Sequence, residues 1–202
     1  MTGGNEKNPE ESWADMIREF GDDHAPSGPK LSNYFAGDTY ILMWHVSWFK
    51  FAGKMIGSKG RTLVFDPLEG LGGWTVACET GDVVAVLPVE DSYEQVRAAW
   101  TDEKIVFEKS NKFLTSTESG FGGLVSFDLC GQRSKAEWKL LFEQASRLLI
   151  DGGVLIAGGM PDVQGFFLKE AAALHFKHVF LFGKGQPHPC ISPADAVIIM
   201  AC

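Results

Sequence analysis

One stretch of the sequence combines a carboxylate with a glycine-rich turn, LVFDPLEGLGGWTV at residues 63–76. An apolar run ends at Asp66, and Gly70 and Gly72 follow just before a helix-like segment. Glycines between a strand and a helix let the backbone turn at positive φ and approach a ligand closely. The pattern therefore predicts a cradle for a nucleotide-shaped cofactor. Leu68 is unusual in such a turn, because its side chain takes space that a small residue would leave open.

Other side chains with chemical potential follow apolar runs or lie in loops. Asp128 is the next-to-last residue of the apolar run GLVSFDL. His188 lies in a proline-flanked loop, and a histidine or a carboxylate is a suitable general base near neutral pH. Asp128 and His188 are both candidates for catalysis, and the sequence does not choose between them. No group of histidines, cysteines and acids has the spacing of metal ligands, so we expect no metal site.

From residue 61 onward, short apolar runs alternate with helix-like stretches. Continuous apolar runs of this length are typical of strands buried on both faces of a parallel sheet. The last two runs are joined only by GKGQPHPCISP, which is too short and too rich in proline for a crossover helix, so this pair is predicted to be antiparallel. The expected fold class is α/β, a doubly wound, mostly parallel seven-stranded sheet. The predicted strands are RTLVFD, DVVAVL, KIVFE, GLVSFDL, GVLIAG, HVFLF and DAVIIMA, and the predicted helices are GGWTVACET, SYEQVRAAW, SKAEWKLLFEQASRLLI and VQGFFLKEAAALHF.

Two further helices are predicted before the first strand. Asn8 is a candidate cap for a helix whose apolar side chains follow at helical spacing as far as Phe20. Asp38 is a candidate cap for a longer helix that runs to about Ile56. Apolar residues surround most of the circumference of this second helix, so we expect it to be largely buried. His45 lies on it and is therefore predicted to be a core histidine rather than a catalytic one.

The length and the net charge of the chain limit the classes of function that it can have. With 202 residues the chain fits one domain, in which residues 1–60 form a tail and helices and residues 61–202 form the α/β part. Lys and Arg number 18 and Asp and Glu 26, so the net charge is −8. Such an excess of negative charge disfavours binding to nucleic acid or to anionic membranes. A small-molecule substrate or a protein partner is the better expectation.

The cysteines and the N-terminus indicate a compartment. The four cysteines, Cys78, Cys130, Cys190 and Cys202, are scattered and form no C-x-x-C pair. We expect them to be free thiols in a reducing compartment. The N-terminus lacks the basic and apolar regions of a signal peptide, and polar residues interrupt the longest apolar stretch. These features predict a cytoplasmic protein without a membrane span.

Three longer stretches together resemble class I S-adenosylmethionine-dependent methyltransferases of the small bacterial type. HVSWFKFAGKMIGSKGRTLVFD is similar to the lead-in helix and first strand of that family. LLFEQASRLLIDGGVLIAGG is similar to its helix, glycine turn and fifth strand, and HFKHVFLFG with ADAVIIMAC is similar to its terminal hairpin. The resemblance runs from about residue 45 to the C-terminus. It implies a Rossmann-like fold and S-adenosylmethionine as the cofactor.

The resemblance also implies where the cofactor-binding residues lie. Asp66, Gly70 and Gly72 match the acid and two of the alternating glycines of the first motif, and Leu68 stands at the first glycine. The acid that binds both ribose hydroxyls in the family corresponds to Leu87, which accepts no hydrogen bond. Two of the polar or flexible positions of the family are therefore apolar in this chain.

The remaining positions of the family pattern are mixed. Glu90, three residues beyond the missing ribose-binding acid, is a candidate replacement for it. Asn111 matches the position near the adenine amine, and Asp128 lies at the end of the fourth strand. Trp48 and Phe49 stand where the lead-in helix of the family often carries an Arg-Tyr pair. The apolar residues at these family positions all favour a pocket that is dry and filled by side chains.

Three functional hypotheses follow. The first is a degenerate family member with weak or no binding of S-adenosylmethionine, which acts as a scaffold or partner subunit for another protein or a second copy of itself. The alternative is an active S-adenosylmethionine-dependent methyltransferase that acts on a small molecule or sugar. A nicotinamide-dependent oxidoreductase is suggested by GLGGWT, but Thr75 stands at the third glycine of that motif and the terminal antiparallel pair fits it poorly.

Overall fold

A seven-stranded sheet forms the centre of the computed structural model, in the order β3-β2-β1-β4-β5-β7-β6. The structure describes residues 39–88, 93–100, 104–110, 119–129, 131–159, 165–183 and 196–202. The strands are β1 (Thr62–Phe65), β2 (Val83–Leu87), β3 (Ile105–Lys109), β4 (Phe121–Asp128), β5 (Leu149–Gly159), β6 (Val179–Gly183) and β7 (Ala196–Ala201). The helices of the described ranges are α1 (Thr39–Ile56), α2 (Leu71–Thr80), α3 (Tyr93–Ala99), α4 (Lys135–Leu148) and α5 (Gly165–Ala173).

The directions of the strands confirm the predicted fold class. β1 pairs in parallel with both β2 and β4, β2 with β3, and β4 with β5. β7 lies antiparallel between β5 and β6, as the short connection before it predicted. The sheet is therefore doubly wound and mostly parallel, with an antiparallel pair at its C-terminal end. The chain leaves β1 toward β2 on one side and returns to β4 on the other, so a crevice forms at this switch point.

Helices cover both faces of the sheet and create two apolar cores. Adjacent residues of a strand point to opposite faces, so Leu63 belongs to one core and Val64 to the other. The core that contains Val64 lies under α1, α2 and α3, and the core that contains Leu63 lies under α4 and α5. This covering explains why the central strands are apolar on both sides.

Helix α1 is buried along most of its length, as its sequence predicted. It ends at Ile56, which confirms the predicted end, whereas the candidate cap Asp38 lies outside the described residues. The helix predicted from Asn8 also lies outside them. Among the helices that the structure describes, none is long and apolar enough to cross a membrane.

The boundary between α4 and β5 differs from the sequence prediction. The helix was expected to continue through Ile150 and the strand to begin at Gly153, but α4 ends at Leu148 and β5 begins at Leu149. Leu149 has extended angles, φ −78° and ψ 145°, and pairs with Phe121 of β4. A long-range strand pairing thus overrides the local helical pattern, and the register between β4 and β5 shifts after this first pair.

The start of α4 is fixed by a capping box. The Oγ of Ser134 accepts the N–H of Glu137 at 3.3 Å, and the Glu137 carboxylate accepts the N–H of Ser134 at 2.7 Å. Two backbone donors that would lack partners at the helix start are thereby satisfied. The Ser134 hydroxyl also donates to the Glu137 carboxylate at 2.6 Å, and this bond, together with the bond from the Ser134 N–H, lowers the pKa of Glu137 below its ordinary value.

We expect Ser134→Ala to destabilise the protein by about 1 kcal/mol, because the N-cap hydrogen bond is lost while the helix remains buried. The measurement is urea unfolding followed by far-UV circular dichroism. Ser146→Ala is the matched control, since the Ser146 hydroxyl only donates to the carbonyl of Glu143 within the exposed part of the same helix. Equal loss of stability in the two variants would contradict the capping role.

Candidate functional site

The predicted cradle lies at the carboxyl end of β1, beside the switch point of the sheet. Asp66 follows the last residue of β1, and Asp128 ends the neighbouring β4. Because β1 and β4 are parallel and Phe65 pairs with Ser126, these two acids lie at the same edge of the sheet. This is the edge at which α/β proteins bind ligands. The structure therefore brings together the two acids that the sequence proposed for the site.

The backbone of the turn after β1 has an unusual run of positive φ angles. Most residues with side chains avoid this region, and each such residue costs of the order of 1–3 kcal/mol. Leu68, which stands at the first glycine of the family motif, adopts the conformation that a glycine would adopt there. The positive angles are 50° at Asp66, 51° at Leu68, 51° at Glu69 and 101° at Gly70.

The two glycines of the predicted motif lie against the protein's own aromatic rings. A Cβ on Gly72 would lie 2.6 Å from the Cζ atom of Phe49 in α1. A Cβ on Gly70 would lie 2.1 Å from the Nε1 atom of Trp100, which follows α3. Both positions therefore require glycine for close packing of the chain on itself, without any ligand.

Several positions that the resemblance assigns to cofactor contacts carry apolar residues in this chain. The side chains at these positions are buried. Trp48, Phe49 and Leu87 are 0% exposed, and Leu68 is 3% exposed. The rings of Trp48 and Phe49 meet Phe127 of β4 edge-on, with centroids 5.4 Å and 5.1 Å apart. These three aromatic residues, which we call the aromatic cluster, pack at the carboxyl end of β4 in the same core as Leu68 and Leu87. These side chains are therefore part of the buried core.

Asp128 is engaged with the backbone of the loop that follows it. One of its carboxylate oxygens accepts the N–H of Gln132 at 3.0 Å, and the other accepts the N–H of Arg133 at 2.7 Å. The side chain is 7% exposed. Hydrogen bonds to both oxygens hold the loop against the edge of the sheet, which gives Asp128 a structural role regardless of any catalytic one.

Arg133 places a half-buried positive charge beside the two acids. Its guanidinium lies over the ring of Trp138, 4.4 Å from the ring centroid. Burial lowers the pKa of Arg133, and the carboxylates of Asp128, Asp66 and Glu137 raise it in part. This arrangement could not be predicted from the sequence, because Arg133 precedes the helix by two residues and resembles an ordinary loop residue.

His45 is buried beside the aromatic cluster, as predicted for a core histidine. It is 1% exposed and lies between Trp44 and Trp48, with ring centroids 5.7 Å and 6.4 Å away. Burial disfavours its charged form and lowers its pKa from the usual 6.5 to about 4. His45 is therefore neutral at physiological pH.

Several predicted residues lie outside the part of the chain that the structure describes. They are Glu90, Asn111, Cys130, His188 and Cys190, and their proposed roles stay predictions. Cys78 and Cys202 are free thiols, as expected. Within the described ranges, no group of three or more histidines, cysteines and acids could hold a metal ion.

One contact of the site was not predicted from the sequence. The Nε1–H of Trp100 donates a hydrogen bond of 2.9 Å to the backbone oxygen of Glu69 in the glycine turn. The two residues are 31 positions apart in the chain. The only sequence signal was a tryptophan at the end of a short, otherwise polar helix.

Comparisons with known proteins identify the class of fold. The structure is similar to a TehB-like S-adenosylmethionine-dependent methyltransferase from Corynebacterium glutamicum, with 15% identity, 95% of each chain covered and a TM-score of 0.60. It is also similar to an S-adenosylmethionine-dependent O-methyltransferase from Thermotoga maritima, with 12% identity, 78% of this chain and 63% of the other covered, and a TM-score of 0.52.

A third similar structure is a Haloferax volcanii complex that contains the Trm112 methyltransferase activator, with 12% identity, 84% and 75% of the two chains covered and a TM-score of 0.54. No family model matches the sequence, and no curated protein matches it either. At these identities the likeness concerns the fold. The chain has the Rossmann-like fold of class I S-adenosylmethionine-dependent methyltransferases, as the resemblance implied.

The lowered pKa of His45 predicts loss of stability in mild acid. Because the unfolded chain binds a proton at this histidine below about pH 6.5 and the folded chain only below about pH 4, the free energy of unfolding falls as the pH drops through this window. By pH 4.5 the loss should reach roughly 2–3 kcal/mol. The measurement is urea unfolding at pH 7 and pH 4.5.

His45→Phe keeps a ring in the core and removes the titration, so its loss of stability between the two pH values should be smaller than that of the wild type by this amount. His178→Gln is the control, since His178 is exposed and its replacement should leave the wild-type difference unchanged. An identical pH dependence in wild type and His45→Phe would show that His45 does not titrate as inferred.

Proposed function

We propose that this chain is a degenerate member of its fold class, with weak or no binding of S-adenosylmethionine, and that it acts as a scaffold or partner subunit. The observation that supports the proposal is the burial of the apolar residues that stand at the positions which the resemblance assigns to the cofactor. Leu68 and Leu87 belong to one continuous core with the aromatic cluster, and all of these side chains are at most 3% exposed.

Binding at these positions would be costly in two ways. A ligand would have to displace buried apolar side chains, and full burial of one leucine stabilises a protein by about 1.5–3 kcal/mol. A ribose placed against Leu87 would find no acceptor for its hydroxyls, and a buried polar group without a partner costs about 1–3 kcal/mol. The two effects together correspond to a loss of affinity of several orders of magnitude.

The partner role is supported by the class of fold and by the surface. The Haloferax volcanii structure that resembles this chain contains an activator protein, so proteins are found bound within this structural class. Several large apolar side chains of this chain are exposed and are candidates for contact with another protein or a second copy. They are Met55, Val106, Leu140, Ile150, Phe166, Leu174 and Phe180.

The alternative is an active methyltransferase for a small molecule or sugar. It is supported by the backbone conformation of the turn. Positive φ occurs at Asp66, Leu68, Glu69 and Gly70, which is the kind of backbone that a glycine-rich turn adopts. In that case Asp66, Gly70, Gly72, Glu90, Asn111 and Asp128 would hold S-adenosylmethionine. Asp128 or His188 would accept the proton of the acceptor, and Glu90 would take over the ribose contact that Leu87 lacks.

Calorimetric titration with S-adenosylmethionine and S-adenosylhomocysteine tests the proposal. We expect no heat of binding for the wild type at millimolar ligand. Binding in the micromolar range or tighter would contradict the degenerate role and favour the alternative. Asp66→Ala and Glu90→Ala would then identify the residues that hold the ligand.

A restoring variant sharpens this test. Leu68→Gly with Leu87→Asp returns the first glycine and the ribose-binding acid, and we expect it to bind S-adenosylhomocysteine at least tenfold more tightly than the wild type. Leu68→Gly with Leu87→Asn is the matched control, because it opens the same space and supplies a weaker acceptor for the two hydroxyls. Far-UV circular dichroism establishes that both variants are folded. Equal affinity in the two variants would mean that the end of β2 does not face the ligand.

A further inference from the structure

The two edges of the sheet differ in how their backbone is protected. An edge strand presents N–H and C=O groups with which a further strand can pair, and proteins protect such edges with charged side chains or cover them. Within the described ranges, β3 forms one edge of the sheet and β6 forms the other. A difference in protection therefore indicates which edge is open to another chain.

Strand β3 is a protected edge. The backbone oxygen of Lys104 points to β2, where it accepts the N–H of Val83, so by the alternation of a strand the backbone oxygen of Phe107 points away from β2. The hydroxyl of Tyr93 donates a hydrogen bond of 3.0 Å to this outward oxygen of Phe107. The ammonium group of Lys109 lies 4.7 Å from the ring centroid of Tyr93. A second chain that paired with β3 would have to break this hydrogen bond beside a positive charge.

Strand β6 differs from β3 in composition. Its sequence, VFLFG, contains neither a charged residue nor a proline. His178, which precedes it, exchanges backbone hydrogen bonds of 3.0 Å and 3.1 Å with Cys202. Because the backbone groups of an antiparallel pair alternate in direction, those of Phe180 also point to β7, whereas those of Val179 and Leu181 point away from it. The outer side of β6 thus offers two N–H and two C=O groups, and no strand of the described ranges lies there.

Apolar side chains flank this edge on both faces of the sheet. Phe180 is 48% exposed and lies on the same face of β6 as Phe182, which packs on Phe51 of α1 with ring centroids 4.7 Å apart. On the opposite face α5 contacts both β7 and β6, and Leu174, which follows α5, is 75% exposed. Since strands lie about 4.8 Å apart, a copy of α5 across a two-fold axis beside β6 would lie about 10 Å away, which is a packing distance for helices. Pairing at this edge would therefore bury apolar surface on both faces.

We propose that β6 pairs in antiparallel fashion with β6 of a second copy of this chain, so that the two sheets join across a two-fold axis at Phe180. In this register Val179 of one copy and Leu181 of the other exchange backbone hydrogen bonds. The two Phe180 side chains meet directly, with Cα atoms about 4.5 Å apart. Aromatic cross-strand pairs of this kind stabilise antiparallel strands. The strand matches its own copy, as a two-fold symmetric interface requires.

The distribution of charge fits a second copy at this edge. The net charge of the chain is −8, so two copies repel each other over most of their surfaces. Neither β6 nor the neighbouring β7 carries a charged residue. In the proposed register, Lys177 of one copy lies opposite Gly183 of the other, so like charges do not face each other. An uncharged strand is the kind of surface through which an acidic chain can approach itself closely.

This inference names a second copy as the partner in the proposed function, and it rests on that part of the proposed function alone. It does not depend on the loss of S-adenosylmethionine binding, which the calorimetric titration tests separately. A monomer that binds no S-adenosylmethionine would overturn only the pairing of β6. A dimer that binds S-adenosylmethionine tightly would overturn only the degenerate role.

Sedimentation velocity at protein concentrations from about 10 to about 500 µM tests the pairing, since small interfaces associate in this range. We expect a growing fraction of dimer in the wild type. Phe180→Lys should raise the dissociation constant about tenfold or more, because two ammonium groups would face each other at the axis. Val106→Lys is the matched control, since Val106 is 47% exposed on the other edge strand, and it should leave the association unchanged. A wild type that stays monomeric, or equal weakening by both substitutions, would overturn the proposal.

A cysteine at the axis tests the register and covers the case in which Phe180→Lys does not fold. Phe180→Cys places thiols on directly opposite residues, whose Cα separation of about 4.5 Å is within the range that a disulfide spans. We expect mild oxidation to cross-link this variant into a dimer on a non-reducing gel. Val106→Cys retains the same native cysteines and should cross-link no more than the wild type. Absence of the cross-link in folded Phe180→Cys would overturn the pairing centred on Phe180.

Discussion

The close packing of α1 on the sheet determines where the residues around the candidate site lie. The ring of Phe49 lies against Gly72, and Ile56 lies against Gly123 of β4, where a Cβ would be only 2.6 Å from the isoleucine side chain. Protein interiors are packed to the density of organic crystals, so neither position accepts even a methyl group without a shift of α1. The same packing of α1 places Trp48 at the end of β4. The burial of the aromatic cluster is therefore a consequence of how α1 lies on the sheet.

The strained turn after β1 is stabilised by the burial of Leu68. Leu68 and Glu69 have φ near 50°, and each such angle costs of the order of 1–3 kcal/mol. Leu68 is almost completely buried, and full burial of a leucine contributes about 1.5–3 kcal/mol. The two terms are of equal size, so the leucine offsets the strain that its own side chain creates. The shape of a ligand-binding turn can thus persist without a ligand.

The sequence predicted those parts of the fold that depend on local pattern. Continuous apolar runs marked the strands, and the short connection before β7 marked its antiparallel direction. What it could not predict depends on contacts between distant segments. Leu149 enters a strand because it pairs with Phe121, and Trp100 covers a turn 31 residues earlier in the chain. For the site, the sequence identified Asp66 and Asp128 as candidate residues, but the backbone hydrogen bonds of Asp128 arise only once the loop is folded.

The apolar residue at the end of β2 contributes to the core of the protein. Leu87 is wholly buried at the end of β2, so a carboxylate there would be desolvated unless a ligand or a neighbouring donor satisfied it. In a protein that binds no ligand, leucine is therefore the more stable choice. The negative charge that remains, on Asp66 and Asp128, lies beside the guanidinium of Arg133, so the chain itself supplies a positive charge at this edge of the sheet.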